Sequence, residues 1–358
     1  VFYVDDYVDL SRYKNSKKEY LEETSEWLAN GIAEAYGEKG AARLVILGRN
    51  PTLLKNIDPK LISTASRARS KAYKKLMDLV TSSKNQWSII SYATPEWAKQ
   101  VFPELPEDEA VNALWKEIFS CCRLDNDNPV EEWNKHNKVL AHRYTIMNEA
   151  RFDGLKYESP KADLYVGLAD GHIWEGGAGE SQRSILFNAN IPTEEVFTTP
   201  HRNNVNGWIE STKPLLYRGT MIDGIRVEFS EGKAINVTAT AGQEVLLDMI
   251  NEDDGSSHLG EVALVPHNSP ISNSGVIFKE TLFDENASCH FAFGQSYTKC
   301  MTEIDGESKE DYMKRGGNFS TVHTDWMVGD ETTKIYGIKG DKKVLIISDG
   351  EWVFEGLA

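Results

Sequence analysis

The feature of this sequence that most constrains its fold is a change in hydrophobic pattern near residue 155. Before that point, segments with apolar residues at helical spacing alternate with short apolar runs typical of strands. Helices are predicted over residues 17–38, 59–83, 107–122 and 129–151, and strands over residues 42–47 and 87–92. This alternation predicts a layered α/β domain with a mostly parallel sheet over residues 1–155. The opening Val1-Phe2-Tyr3-Val4 resembles the middle of a strand, so we expect the natural N-terminus to lie further upstream.

After residue 155 the sequence changes to short alternating segments, which predict strands. These segments cover residues 164–168, 226–229, 234–239, 262–265, 334–338 and 344–347. Residues 230–233 predict a hairpin turn between two of them, and helices are expected over residues 242–251 and after Glu285. The predicted fold class is therefore α/β, with an N-terminal α/β layered domain and a β-rich C-terminal domain over residues 156–358.

Charge and composition exclude some classes of partner. The formal net charge is −16, from 55 Asp and Glu against 39 Lys and Arg, and such a surface repels a phosphate backbone. No apolar run approaches the roughly 20 residues that cross a bilayer, and no secretory signal precedes the first helix. The four cysteines fit neither a disulfide framework nor a CxxC zinc site. These features predict a cytoplasmic protein that binds neither nucleic acid nor membrane.

Acids and histidines in the second half stand where ordinary packing does not require them. They are Glu194 and Glu195, Glu261 at the start of an apolar strand, Glu285 and His290, and His323 with Asp325, and Tyr297 follows in the same region. His323 and Asp325 are two residues apart, so on an extended segment both point the same way and form half of a divalent-metal site. If residues 286–297 are helical, His290 and Tyr297 share a face on which Gly294 leaves room for an ion or a substrate.

Each of these residues also has a plain structural interpretation. A Glu at a strand start is usually solvated, a lone His is more often a core residue, and His-x-Asp occurs by chance. Sequence spacing does not bring the segments together in space. The residues alone therefore indicate a metal site without establishing one.

Several longer segments resemble the thermophilic aminopeptidase family of metallopeptidases. The matching segments are residues 190–200, 259–266, 269–272, 281–290 and 323–329, and similarity is densest over residues 187–329. Their order and separations agree with the family. The resemblance implies that the β-rich C-terminal domain is the metal-binding domain.

The resemblance also implies a role for each candidate residue. Two divalent ions are implied to bind the carboxylates and imidazoles of Glu195, Glu261, His290, His323 and Asp325, with Glu261 shared and Glu285 a further ligand. Tyr297 is implied to be the catalytic hydroxyl. Glu194 offers a neighbouring carboxylate, and Glu195 is preferred because it precedes Val-Phe-Thr as the ligand does in the family. Oxygen and nitrogen ligands suit zinc, cobalt and manganese alike.

The implied activity is that of a metal-dependent aminopeptidase that hydrolyses the N-terminal peptide bond of short peptides. Two neighbouring ions would activate a shared water, Tyr297 would stabilise the oxyanion, and either Glu195 or Glu285 would carry the proton to the leaving amine. The resemblance further implies a homodimer whose sites face an internal cavity. Two alternatives stay open: another two-metal amide hydrolase, such as a deacylase, and a metal-binding scaffold without catalytic activity.

Overall fold

The computed structural model describes residues 6–304 and 306–357, and within them the chain mixes helices and strands. The predicted strand at Val1–Val4 lies outside the described residues. The α-helices are, in chain order, α1 (Asp6–Asn15), α2 (Lys18–Leu21), α3 (Glu26–Gly37), α4 (Pro59–Ala72), α5 (Lys74–Thr81), α6 (Pro95–Val101), α7 (Glu107–Cys121), α8 (Pro129–Ala150), α9 (Gln243–Ile250), α10 (Pro270–Ser274), α11 (Thr281–Asp284) and α12 (Lys309–Lys314). Short 3₁₀ turns cover Glu285–Ala287 and Thr298–Cys300.

The strands concentrate in the second half of the chain, as the sequence predicts. They are β1 (Arg43–Leu47), β2 (Trp87–Ser91), β3 (Gly154–Ser159), β4 (Ala162–Leu168), β5 (Glu175–Gly176), β6 (Ala178–Glu180), β7 (Leu186–Asn188), β8 (Val196–Thr198), β9 (Pro200–Glu210), β10 (Leu215–Tyr217), β11 (Thr220–Ile222), β12 (Arg226–Ser230), β13 (Lys233–Thr238), β14 (Leu259–Leu264), β15 (His290–Gly294), β16 (His323–Met327), β17 (Lys334–Lys339), β18 (Lys342–Ser348) and β19 (Glu351–Trp352). None of the helices described between residues 6 and 357 is long and apolar enough to span a membrane.

The chain folds into two compact units. The first comprises the chain up to Ile118 together with Glu180–Ile191 and Leu216–Thr220. In it β1 and β2 pair in parallel, as the alternating pattern predicts. Its core includes Ala33 and Tyr36 of α3, which pack with Leu76 and Val80 of α5. Burial of such apolar side chains contributes roughly 1.5–3 kcal/mol each for the larger ones.

Two of the predicted helices in the first unit are interrupted. The segment predicted over residues 17–38 forms α2 and α3 with an extended break between them. The segment over residues 59–83 divides into α4 and α5 at Tyr73, whose ψ of 5° leaves the helical region. Periodicity reports which face is apolar, and that face can continue across a break in the backbone.

The second unit contains Phe119–Gly179, Pro192–Leu215 and the chain from Met221 onwards. The division between the units therefore does not fall near residue 155, because α8 packs against β5 and β8 within the second unit. An eight-stranded sheet has the order β13-β12-β9-β4-β3-β17-β18-β19, and a five-stranded sheet has the order β16-β15-β14-β8-β5. The predicted hairpin joins β12 to β13, and its turn residues Glu231 and Gly232 both have positive φ.

Aromatic side chains of the two sheets meet in the core of the second unit. The ring centroids of Tyr157 on β3 and Phe291 on β15 are 5.1 Å apart. Phe293, also on β15, stacks on Trp326 of β16 at 5.3 Å. Because side chains alternate along a strand, the residues between these aromatics point to the opposite face of the five-stranded sheet.

The prediction of a helix over residues 286–297 is wrong. Residues 285–287 form one 3₁₀ turn, Ser288 is extended, and His290–Gly294 is strand β15. The alternation of Phe291 and Phe293 with small or polar residues fits a strand, and both rings are fully buried. Gly294 has a φ of 97°, and a Cβ there would lie 2.1 Å from the Val322 carbonyl oxygen. Its missing side chain thus permits a close backbone approach, not space for an ion.

Candidate metal centre

The face of the five-stranded sheet opposite the aromatic core carries the predicted ligands. On β14 and β15, Glu261 lies opposite Ala292, and Ala263 lies opposite His290. Across the next pair, Ala292 also lies opposite Asp325 of β16. Directly opposed residues of antiparallel strands share a face. Glu261, His290 and Asp325 therefore project together, and the alanines between them leave room above the sheet.

The remaining two candidates join this face from its edges. His323 lies opposite Gly294 at the start of β16 and is two residues from Asp325, as the extended spacing predicts. Glu195 directly precedes β8, whose Phe197 lies opposite Ala263 of β14. Alternation along this segment places Glu195 on the same face as Phe197.

The five side chains form two groups that share one carboxylate. Glu195, Glu261 and His290 make the first group, and Glu261, His323 and Asp325 make the second, with ligand atoms in each group within 4.8 Å of one another. In the first group, His290 Nε2 lies 3.0 Å from Glu195 Oε2 and 3.9 Å from Glu261 Oε1. In the second, His323 Nε2 lies 3.5 Å from Glu261 Oε2 and 3.6 Å from Asp325 Oδ1.

Backbone carbonyls orient both imidazoles. His290 Nδ1 lies 3.1 Å from the Ser288 carbonyl oxygen, and His323 Nδ1 lies 2.7 Å from that of Gln295. A carbonyl only accepts, so each Nδ1–H donates to it and the Nε2 of the neutral ring keeps its lone pair. Both Nε2 atoms face the carboxylates. This is the arrangement in which histidines bind metals.

The electrostatics of the groups favour added positive charge. Burial, followed by the nearby Glu195 and Asp325 carboxylates, raises the pKa of Glu261 well above its ordinary value. Burial alone lowers the pKa of His290, but Glu195, Asp325 and Glu261 outweigh it and raise the pKa to about 9. A cation placed here relieves the repulsion among buried carboxylates.

The donor set fits divalent ions. Glu195 Oε2 is buried and has no hydrogen-bond partner among the described residues, although His290 Nε2 is close by. Two lone pairs that face each other at 3.0 Å repel unless a proton or a cation lies between them. Carboxylate oxygens and imidazole nitrogens are ligands for zinc, cobalt and manganese. The first group therefore has ligands that suit a divalent ion, and it contains a buried carboxylate oxygen, Glu195 Oε2, whose missing partner a metal ion would supply.

Glu285 lies beside these groups without belonging to either. It is buried on the 3₁₀ turn that follows α11. Burial, then the carboxylates of Asp325 and Glu195, raise its pKa well above the ordinary value. The neighbouring Asn286 donates to the Leu282 carbonyl at 3.1 Å and helps to fix the turn. Glu285 thus lies near the same carboxylates but outside the two groups of ligand atoms.

Tyr297 lies at the same centre, but a turn and not a helix places it there. It precedes the 3₁₀ turn Thr298–Cys300, and its half-buried ring meets the imidazole of His323 edge-on at 5.0 Å. Burial, then Glu261 and Asp325, raise the pKa of the phenol well above its ordinary value. The hydroxyl therefore keeps its proton at neutral pH and is available as a donor.

The structure also distinguishes the two adjacent glutamates. Glu195 lies in the first group, whereas Glu194 forms an ion pair with Arg123 at 2.6 Å. Arg123 was not among the residues that the sequence indicates. It follows α7 with no pattern around it, and 71 positions separate it from Glu194.

Comparison with known proteins identifies the family to which this chain belongs. The sequence matches the thermophilic metalloprotease family M29 over residues 1–352. The chain belongs to the M29 family. Aminopeptidase T from Thermus aquaticus is 42% identical over 355 residues, which cover 99% of this chain and 86% of that protein. Aminopeptidase 2 from Geobacillus stearothermophilus is 45% identical over 323 residues, which cover 90% of this chain and 78% of that protein.

A solved structure shares the fold. Wild-type AmpT from Thermus thermophilus matches with a TM-score of 0.92 at 40% identity, over 99% of this chain and 86% of that chain. The resemblance, the mixed α/β fold class and the prediction of a metal-dependent aminopeptidase are thereby confirmed. As an M29 metalloprotease, the chain is a hydrolase that uses divalent metal and acts on peptides.

Proposed function

We propose that this aminopeptidase removes single residues from the N-termini of short peptides with the help of two divalent ions. The observation that carries the proposal is the pair of three-residue groups that share Glu261. Glu195 and His290 would hold one ion, His323 and Asp325 the other, and Glu261 both. Together with the nearby Glu285, these residues supply four carboxylates and two neutral imidazoles, which matches the charge of two dications.

Zinc, cobalt and manganese all suit this donor set. Both groups consist of carboxylates and imidazoles, and such ligands leave the choice of metal to geometry and availability. The family resemblance further supports a cytoplasmic homodimer as the working form.

The residues around the groups divide the catalytic work. When bound, the ions supply Lewis acidity, which lowers the pKa of a water and polarises the scissile carbonyl. Tyr297 donates a hydrogen bond to the carbonyl oxygen as negative charge develops on it. Glu285 is better supported than Glu195 as the proton carrier, because Glu195 lies 3.0 Å from His290 within the first group. The raised pKa of Glu285 suits a carboxylate that takes a proton from water and passes it to the leaving amine.

Turnover of a chromogenic aminoacyl substrate and of its N-acetylated analogue tests the proposal. We expect hydrolysis of the free amine only, because a free α-amine can bind an ion or a nearby carboxylate at the site and an acetylated amine cannot. Exhaustive chelation should abolish this activity, and zinc, cobalt or manganese should restore it.

The other outcomes distinguish the alternatives. Faster hydrolysis of the acetylated substrate would identify a deacylase, and metal binding without turnover of either substrate would identify a scaffold. Full activity in protein that elemental analysis shows to hold no divalent metal would contradict the role of the ions.

A further inference from the structure

We propose that Arg123, Glu194 and His136 form a buried network that positions the ligand Glu195 and so sets the affinity of one metal position. The inference rests on the proposed two-ion function. It assigns a role to three residues that lie on the side of residues 193–195 away from the ligand groups. These are positioning residues, since none belongs to either ligand group.

The network begins with a buried ion pair in which Arg123 makes one hydrogen bond and one further close charge contact to the Glu194 carboxylate. Arg123 Nη1 lies 2.6 Å from Glu194 Oε1, and Nη2 lies 2.9 Å from Glu194 Oε2. The side chains are only 14% and 6% exposed, so water does not compete for these bonds. The Glu194 backbone N–H also donates to Asn286 Oδ1 at 2.7 Å. Glu194 is therefore held by both its side chain and its backbone.

His136 links Arg123 to Thr193, the residue that precedes Glu194. Arg123 Nη2 lies 3.2 Å from His136 Nδ1, and a guanidinium only donates, so Nδ1 is the acceptor. The proton of the neutral ring is then on Nε2, which donates to the Thr193 carbonyl oxygen at 2.7 Å. Burial lowers the pKa of His136 and favours this neutral form. Thr193 and Glu194 are thus fixed directly before Glu195.

Arg123 is itself rigidly placed. It has a φ of 59°, just after α7, and its guanidinium lies 5.6 Å from the ring centroid of Trp133 on α8. The indole N–H of Trp133 donates to the Cys122 carbonyl oxygen at 2.8 Å. A guanidinium held in this way determines where the Glu194 carboxylate lies, and hence where the neighbouring Glu195 meets His290.

The effect should be confined to one metal position. Glu195 belongs only to the first group, whereas the second group is completed by His323 and Asp325 on β16, a strand that carries none of the network residues. Partners that orient metal ligands typically contribute about 10–100-fold in metal affinity. Loss of the Arg123–Glu194 pair should therefore weaken the binding of one ion and leave the binding of the other unchanged.

Stepwise zinc binding to chelator-treated protein, measured by calorimetry, tests this inference. Arg123→Lys keeps the positive charge but replaces the planar guanidinium with a single ammonium group. We expect the zinc affinity of one site to fall about 10–100-fold while that of the other is unchanged. Glu194→Gln should show the same selectivity, and it provides a second variant should Arg123→Lys fold poorly.

The matched control is Arg315→Lys. Arg315 also forms a largely buried ion pair, in which its Nη1 donates to both Glu307 oxygens at 3.1 Å, and neither residue belongs to the ligand groups. This variant should lose stability and keep both zinc affinities. If the wild type binds fewer than two ions, the proposed function fails. If it binds two and the Arg123 and Glu194 variants weaken both sites equally, or neither, the positioning role is wrong.

Discussion

Glu261→Gln is expected to lower turnover of an aminoacyl substrate by a factor on the order of 10³ or more, because one carboxylate serves both groups. Glutamine keeps the size of the side chain but removes the negative charge that the two proposed ions would share. Metal analysis should show that the variant binds neither ion at micromolar concentration. Its metal-free form should be at least as heat-stable as the metal-free wild type, since the charge of Glu261 is buried among like charges.

Glu307→Gln is the matched control for this substitution. Glu307 is also largely buried and lies in the same unit, where it pairs with Arg315. Its replacement should cost stability with little change in turnover. A Glu261→Gln protein that retains two ions and normal turnover would show that Glu261 is not the shared ligand.

Tyr297→Phe is expected to lower kcat and kcat/KM together by about 10²–10³-fold with KM nearly unchanged. The reason is that its hydroxyl keeps its proton and would meet negative charge only in the transition state. Phenylalanine retains the ring that packs against His323 and Phe197, so metal content and fold should be preserved.

Tyr312→Phe serves as the control for Tyr297. The Tyr312 hydroxyl is hydrogen-bonded to Ser296 Oγ at 2.8 Å, outside the ligand groups. Its removal should cost about 1 kcal/mol of stability without a change in kcat. Normal kcat in Tyr297→Phe would mean that the ring only packs, whereas loss of metal would place the hydroxyl in the coordination shell.

Hydrophobic periodicity predicts much of the fold and fails where two periods overlap. It correctly predicts α7, α8, the parallel pair β1–β2 and the hairpin β12–β13. Residues 290–297 satisfy helical spacing through His290, Gly294 and Tyr297. The same segment alternates through Phe291 and Phe293, and burial of those rings against the other sheet makes it a strand.

The sequence identifies ligand candidates but not their convergence. His323 and Asp325 share a strand face, and this follows from spacing alone. The meeting of Glu261 and Asp325 depends on the registers that place both opposite Ala292, which no local pattern specifies. Arg123 gives no signal at all, because its contacts depend on how α8 packs beside β8.

The central claim is that two ions share Glu261, and anomalous X-ray diffraction at the zinc absorption edge tests it most directly. Crystals of the zinc-loaded enzyme should show two peaks, each within about 2.0–2.2 Å of its ligand atoms. One peak should lie between Glu195 and His290, the other between His323 and Asp325, with a Glu261 oxygen bound to each. A single peak, or two peaks that leave Glu261 unbound, would contradict the account.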